Sequence, residues 1–161
     1  MKHRALVIDD DTEIAEAVGD QLSEWLKHAH DHAPCVEIAR KHISERRYSY
    51  ILLDLEIPMR SGRGVSSVQN GEKLLQEIVA SPQQANVPVI IMTGHGKDSP
   101  SLAVEVMKKG AVDYVTKPFP TTGNTLEKAI REALERAGGK GVVAGAPVES
   151  GQAANNNTVS G

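Results

Sequence analysis

The sequence predicts an α/β domain, a doubly wound five-stranded parallel sheet covered on its two faces by five helices. From Arg4 to about Ala137, short apolar runs alternate with segments whose apolar residues recur at helical spacing. Three of the runs, at residues 6–8, 51–53 and 89–92, lack polar alternation, as expected for strands that are buried on both faces. Right-handed crossovers between parallel strands place helices over each face of the sheet. The alternation therefore favours a sheet that is covered on both sides.

Five segments are predicted to be strands. Four of them stop at polar residues and cover residues 6–8, 51–53, 89–92 and 112–116. The remaining strand, second in chain order, is expected at residues 35–39, where Cys35 lies among apolar residues. We interpret this lone cysteine as a reduced thiol within a strand.

The first two predicted helices differ in length. The first has Asp11 or Thr12 as a candidate N-cap. Its apolar stripe consists of Ile14, Val18, Leu22, Trp25 and Leu26. The second helix is short, at residues 40–47, and turns Ile43 inward.

The last three predicted helices have clear end signals. The third begins only after Asn70 and Gly71 and ends before Ser81, because a residue that precedes proline avoids the helical region. The fourth, around residues 102–107, stops near Gly110, as a left-handed C-cap requires. The fifth covers about residues 126–137 and mixes apolar with charged positions.

Composition and charge argue against a nucleic-acid-binding protein and a membrane protein. A net charge of −3 and a pI near 6.1 provide no basic face for nucleic acid. No apolar run approaches the roughly 18 residues that cross a bilayer, so we expect no membrane contact and a cytoplasmic location. The folded domain is predicted at residues 1–137, and residues 138–161, rich in Gly, Ala and Asn, are predicted to be a disordered tail or linker.

Polar side chains gather where the predicted strands end. Asp9 and Asp10 follow the first strand, Asp54 ends the third, Thr93 ends the fourth and Lys117 follows the fifth. In open parallel sheets, ligands bind outside the carboxyl ends of the strands. Neighbouring carboxylates favour Mg²⁺, and a lysine and a hydroxyl suit the oxygens of a phosphoryl group. This pattern predicts a phosphoryl-transfer site in which Asp54 is the nucleophile.

Four segments resemble the signature segments of the receiver domain of two-component response regulators. They are Val7-Ile8-Asp9-Asp10-Asp11, Leu53-Asp54-Leu55-Glu56-Ile57-Pro58, Met92-Thr93-Gly94 and Lys117-Pro118-Phe119. The resemblance covers about Lys2 to Ala137 and implies a flavodoxin-like fold with strand order 2-1-3-4-5.

The resemblance also implies a role for each residue of the site. Asp54 is phosphorylated by a sensor histidine kinase or a phosphotransfer protein. Mg²⁺ is held by Asp10, Asp54 and the backbone carbonyl of Glu56, with Asp9 acting mainly through a metal-bound water. Thr93 and Tyr114 match the switch pair of the family.

The resemblance implies an output surface as well. The fourth helix, fifth strand and fifth helix, near residues 102–136, would contact an unknown effector. On this interpretation the chain is a signalling phospho-acceptor that catalyses only its own phosphorylation and slow dephosphorylation.

Two features depart from the family or vary within it. Residues 63–71 are interpreted as an insertion beside the site, which with Arg60 and Arg63 either modulates kinase docking or phosphate access or is a tolerated surface loop. Glu56 and His95 lie two residues after Asp54 and Thr93, and we expect them to tune hydrolysis of the acyl phosphate.

Two other functions remain as alternatives. A haloacid-dehalogenase-like phosphatase would use Asp9 as its nucleophile, although Glu13 stands where that motif requires Thr or Val. A receiver-like module that acts without phosphorylation is the second alternative. His28, His30 and His32 could form a metal site, but we interpret them as the frayed, polar end of the first helix.

Overall fold

The computed structural model describes residues 2–62, 64–94, 100–117, 119, 123 and 125–138. It contains one five-stranded parallel sheet with the order β2-β1-β3-β4-β5, which confirms the predicted fold class. The strands are β1 Arg4–Ile8, β2 Ala29–Ala33, β3 Tyr50–Asp54, β4 Val89–Thr93 and β5 Asp113–Thr116. The helices are α1 Thr12–Gln21, α2 Val36–Glu45, α3 Val68–Ala80, α4 Pro100–Lys108 and α5 Leu126–Gly138. Of the predicted tail, Gly138 belongs to α5 and residues 139–161 lie outside the described residues.

Helices cover both faces of the sheet. Leu6 and Ile8 of β1 belong to a core cluster that includes buried residues of α2, α3 and α4. Ala5 and Val7, which alternate with them, belong to a second cluster formed with α1 and α5. Since β1, β3 and β4 are covered on both faces, their sequences are continuous apolar runs.

The register of the strands brings their carboxyl ends to one edge. Ile8 pairs with Leu53, and Asp54 pairs with Met92. Thr93 pairs with Thr116, the last residue of β5. The polar residues that end β1, β3, β4 and β5 are therefore neighbours in space.

The predicted second strand is wrong, and the second helix starts earlier than predicted, with Ile43 buried as expected. The second strand is Ala29–Ala33, and Cys35 is the N-cap of α2, which contains most of the segment that was predicted to be extended. β2 is an edge strand with partly exposed side chains, so it carries His and Asp instead of an apolar run. The interpretation of the histidines as a frayed helix end is also wrong, because His30 and His32 belong to β2.

The end of the first helix differs from an ideal amphipathic helix. Residues Leu22–Leu26 form a π-helical turn, and Lys27 closes it in the left-handed conformation. Trp25, predicted on the apolar stripe, is 62% exposed. A π-helical turn contains more residues than an α-helical turn, so it turns Trp25 away from the face that Ile14 and Val18 share, while Leu26 still packs against the same cluster.

The third helix starts earlier than predicted. Ser67 is its N-cap, and its hydroxyl accepts a hydrogen bond from the Asn70 N–H (3.1 Å). Asn70 and Gly71 therefore lie in the helix, so the irregular segment after Pro58 ends at Ser67 and not at Gly71. Gly71 lies so close to the Leu55 backbone that a Cβ atom at this position would overlap it.

Candidate functional site

Three carboxylates meet at the carboxyl edge of the sheet. One carboxylate oxygen from each of Asp9, Asp10 and Asp54 lies within 4.8 Å of the others. Asp9 and Asp54 are buried, and Asp10 is exposed. The sheet topology therefore brings together the three aspartates that the sequence analysis selected.

The Lys117 ammonium reaches into this cluster from the end of β5. Its Nζ lies 3.0 Å from Asp9 Oδ2 and 3.4 Å from Asp54 Oδ2. Both ion pairs are largely shielded from solvent, since the Lys117 side chain is only 13% exposed. One cation thus bridges two carboxylates that stand on neighbouring strands.

Backbone N–H groups hold the two buried carboxylates in place. Asp9 Oδ1 accepts from the Asp11 N–H (2.9 Å), and Asp54 Oδ1 accepts from the Glu56 N–H (3.1 Å). Asp11, one of the two predicted N-caps, in turn accepts from the N–H groups of Glu13 and Ile14 at the start of α1. Short local turns therefore fix the orientation of the acidic side chains.

Burial and like charge alter the acidity of the cluster. Burial, with a further contribution from the Asp9 charge, raises the pKa of Asp54 to about 7, although Lys117 and the Glu56 N–H oppose this rise. Burial and the Asp9 charge also raise the pKa of Asp10. Burial by itself would lower the pKa of Lys117, but the charges of Asp54 and Asp9 outweigh it and raise that pKa.

The donor set fits a hard divalent cation. Among the described residues, one ammonium pairs with two of these three carboxylates, so negative charge is in excess there, and the ligands are oxygens of the kind that Mg²⁺ prefers. Within the described part of the chain, the metal-binding grouping consists of these aspartates, and no histidine belongs to it.

The other predicted site residues differ in how far the structure describes them. The Thr93 hydroxyl, at the end of β4, donates to the Gly94 carbonyl (3.1 Å). Tyr114 lies on β5, partly buried against the core. Glu56 is exposed, two residues after Asp54, and His95 lies outside the described residues.

The sequence analysis missed one neighbour of the site. His32 Nε2 donates to the Asp9 backbone carbonyl (2.8 Å), and the Asp9 N–H donates to Ala33 on the same strand. The sequence offered no clear signal for this contact, because His30, Asp31 and His32 are all polar and lack the apolar–polar alternation of a half-buried strand. β2 therefore holds the backbone that carries the first aspartate.

None of the helices among the described residues has the length and apolar character needed to cross a membrane.

Known proteins share this sequence pattern and fold. Residues 5–131 match the model of the response regulator receiver domain. The chain is 33% identical over 139 residues to the transcriptional regulatory protein FixJ of Azorhizobium caulinodans, an alignment that covers 84% of this chain and 56% of FixJ. It is 34% identical over 143 residues to the response regulator protein TodT of Pseudomonas putida, covering 85% of this chain and 55% of TodT.

A solved structure shows the same similarity in three dimensions. The receiver domain of NtrX from Brucella abortus superposes with a TM-score of 0.65 at 29% identity, over 81% of this chain and 98% of that one. The chain spans little more than half the length of the two curated relatives.

Proteins of this family are signalling proteins rather than classical enzymes, and their receiver domains bind Mg²⁺ at an acidic cluster and interact with histidine kinases and effectors. The family model covers most of the chain, and the fold agrees with that of the solved receiver domain. The chain therefore belongs to the response regulators of two-component signalling, with a receiver domain at residues 5–131.

Proposed function

We propose that Asp54 accepts a phosphoryl group from a phosphorylated histidine of a sensor kinase or phosphotransfer protein. The observation that carries this proposal is the position of the buried Asp54 carboxylate, which pairs with the Lys117 ammonium and lies next to two further aspartates. Asp54 is also the residue of the cluster that ends a central strand of the sheet, where ligands of such folds bind.

The transfer is a displacement at phosphorus. A carboxylate oxygen of Asp54 forms the new O–P bond, the P–N bond to the donor histidine breaks, and the imidazole keeps the electron pair and later takes a proton. Attack by water on the acyl phosphate then restores the carboxylate and releases inorganic phosphate. Phosphoryl transfer needs little covalent assistance, so the protein contributes mainly by positioning the reacting groups and by neutralising charge on the phosphoryl oxygens.

The surrounding residues supply that charge. Lys117 already contacts the acceptor, and its ammonium and the Thr93 hydroxyl would bind the phosphoryl oxygens. Mg²⁺, held by Asp9, Asp10, Asp54 and the Glu56 backbone carbonyl, would neutralise charge on the transferred group. Asp9 would contribute mainly through water rather than by direct contact with the cation.

The acquired charge would then change the conformation of the domain. A phosphoryl group adds roughly −1.5 to −2 charges, a change large enough to shift a two-state equilibrium. The Thr93 hydroxyl would move toward the phosphoryl group while Tyr114 turns inward. We infer that the output surface for a cytoplasmic effector is formed by α4, β5 and α5, since Val104 and Met107 of α4 expose apolar surface there.

Acetyl phosphate provides a direct test. With Mg²⁺, wild-type protein should show one phosphoryl adduct by intact-mass spectrometry, and peptide mapping should place it on Asp54. Asp54→Asn should show none, whereas Asp20→Asn, a change of an exposed aspartate on α1, should be labelled like wild type. If neither acetyl phosphate nor phosphorylated kinases label the wild-type chain, a module that acts without phosphorylation becomes the better function.

A second test concerns the lifetime of the acyl phosphate. Glu56 and His95 would border the water that hydrolyses it, so exchanging both for alanine should change the decay rate severalfold. Exchange of the exposed Glu16 of α1 serves as the control. An unaltered decay rate in the double variant would reject this role.

The phosphatase alternative has less support. It requires Asp9 as the nucleophile, but Asp9 is completely buried and its two carboxylate oxygens contact the Asp11 N–H and the Lys117 ammonium. The chain also belongs to the receiver family. We therefore do not propose hydrolysis of phosphate esters.

A further inference from the structure

The segment after Asp54 caps the N-terminus of a neighbouring helix. The Val36 N–H donates to the Pro58 carbonyl (3.0 Å), and the Glu37 N–H donates to the Met59 carbonyl (3.0 Å). The first N–H groups of a helix have no partner within the helix, and the N-cap residue Cys35 makes no side-chain hydrogen bond to them. The backbone carbonyls of Pro58 and Met59, in the segment after Asp54, therefore cap the first turn of α2.

This segment belongs to a loop whose ends are fastened together. The Ser67 N–H donates to the Ile57 carbonyl (3.4 Å), and the two residues form an antiparallel bridge. The Asn70 side-chain amide donates to the same Ile57 carbonyl (2.9 Å) and to the carbonyl of Val65 (3.3 Å). The two ends of residues 57–67, here called the 57–67 loop, are thus joined to each other. The Asn70 side chain binds a residue near each of these ends.

The backbone between Asp54 and the 57–67 loop is tightly held. The Glu56 N–H is bonded to Asp54 Oδ1 (3.1 Å), and both Leu55 and Ile57 are buried. Gly71 packs against the Leu55 backbone from the side of α3. A shift of the backbone at Glu56 can therefore be absorbed neither by a flexible turn nor by movement toward α3.

We propose that residues 55–59 link Asp54 mechanically to α2, so that the N-terminal turn of α2 responds to phosphorylation. The inference rests on the proposed function. Phosphorylation converts the anionic acceptor into an acyl phosphate, a mixed anhydride, and so weakens the charge-assisted bond from the Glu56 N–H. The carbonyls of Pro58 and Met59 lie two and three residues further on and are bonded directly to α2.

The responding turn lies at the surface of the domain. Glu37, Ile38 and Lys41 are exposed on α2, and Arg60 Nε of the 57–67 loop lies 3.8 Å from Glu37 Oε2. A change in this turn would therefore alter the surface of the domain.

Amide hydrogen exchange of the full chain tests the link without a partner protein. Beryllofluoride with Mg²⁺ serves as a stable mimic of the phosphoryl group. We expect the exchange rates of the Val36 and Glu37 amides to change by about threefold or more when the mimic is added, and Asp54→Asn to abolish this change. The exchange rates of amides near the C-terminal end of α2, after Ile43, should change less.

A variant of Asn70 tests whether the effect reaches α2 through the 57–67 loop. Asn70→Ala removes the two side-chain bonds that fasten the 57–67 loop and should reduce the response of α2 to roughly half or less of the wild-type change. Gln76→Ala, at an exposed position of the same helix, should leave it intact. Urea unfolding of each variant establishes that it is folded.

The outcomes separate this inference from the proposed function. If the mimic alters the amides around Asp54, Thr93 and Lys117 but not those of Val36 and Glu37, the link is overturned and the proposed function stands. An equal α2 response in Asn70→Ala and wild type would overturn the route through the loop. If no amide near Asp54 responds, the proposed function fails as well.

Discussion

Lys117 Nζ lies 3.0 Å from Asp9 Oδ2, and Asp9 is completely buried. This lysine is thus the counterion of a buried carboxylate. Removing one partner of a buried ion pair leaves the other charge uncompensated, which costs more than the loss of a surface pair.

We therefore expect Lys117→Gln to lower the free energy of unfolding by about 2–4 kcal/mol in metal-free buffer at neutral pH. Urea denaturation with EDTA present measures this loss. Lys128→Gln, which removes an exposed ion pair with Glu132 at 4.0 Å, should change stability little. Equal effects of the two changes would show that the ion pairs of Lys117 contribute no more to stability than an exposed pair.

Asp54→Asn should have the opposite effect on stability. Burial raises the pKa of Asp54 to about 7, so keeping this carboxylate ionised in the native state costs free energy at and above neutral pH. Asparagine has a similar shape and no charge, and we expect it to stabilise the metal-free protein by about 1–3 kcal/mol. A lower midpoint of urea unfolding would contradict this expectation.

Magnesium should act on the same cluster. A ligand that binds only the native state stabilises it, by about 2.7 kcal/mol at a concentration 100 times its Kd. Thermal unfolding with Mg²⁺ and with EDTA should therefore differ in midpoint for wild type, and the difference should shrink in Asp54→Asn. An identical Mg²⁺ effect in both proteins would place the cation elsewhere.

Gly71→Ala tests the close approach of α3 to the segment after the acceptor. A Cβ atom at Gly71 would overlap the Leu55 backbone, which cannot move aside as a flexible side chain can. We expect a loss of about 2–4 kcal/mol, although alanine is the better helix former. Gly138→Ala, in a helix with open space around it, should be neutral or slightly stabilising. An equally small effect at both glycines would show that the contact is loose.

His28 should make stability depend on pH in the acidic range. Burial, together with His3 and Arg131, lowers the pKa of His28 from 6.5 to about 4. Between these two values the unfolded chain binds a proton that the native state does not, so this group stabilises the fold above pH 6.5 and progressively less as the pH falls to 4. After allowance for solvent screening, we expect the loss to be on the order of 2 kcal/mol.

The comparison of two variants isolates this contribution. His28→Gln should flatten the pH dependence of the free energy of unfolding relative to wild type, while His42→Gln should retain it. The glutamine can still bond the Tyr50 hydroxyl, which lies 2.7 Å from His28 Nδ1. A wild-type slope in His28→Gln would reject the prediction.

The regular part of the fold could be predicted because its residues encode it locally. The runs at β1, β3 and β4 are apolar throughout, and only a strand covered on both faces has this composition in so few residues. Once these strands are parallel, Asp9, Asp54 and Thr93 must share one edge. The position of the candidate site therefore followed from the order of the runs.

The region around β2 and α2 could not be predicted in this way. Ala29–Ala33 alternates histidine and aspartate because an edge strand has a half-exposed face, and nothing in its composition distinguishes it from a polar helix end. The apolar residues after Cys35 suit either a strand or a helix. Contacts made with Pro58 and Met59, distant in the chain, cap this segment as a helix.

By itself, the sequence determined the fold class, the strand-end cluster and the family, since each depends on residue types at particular positions along the chain. Tertiary structure alone decided that Lys117 bridges Asp9 and Asp54, that His32 supports Asp9, and that the 57–67 loop caps α2. These contacts join segments that are far apart in sequence. Their formation depends on register, burial and chain closure, which no local pattern records.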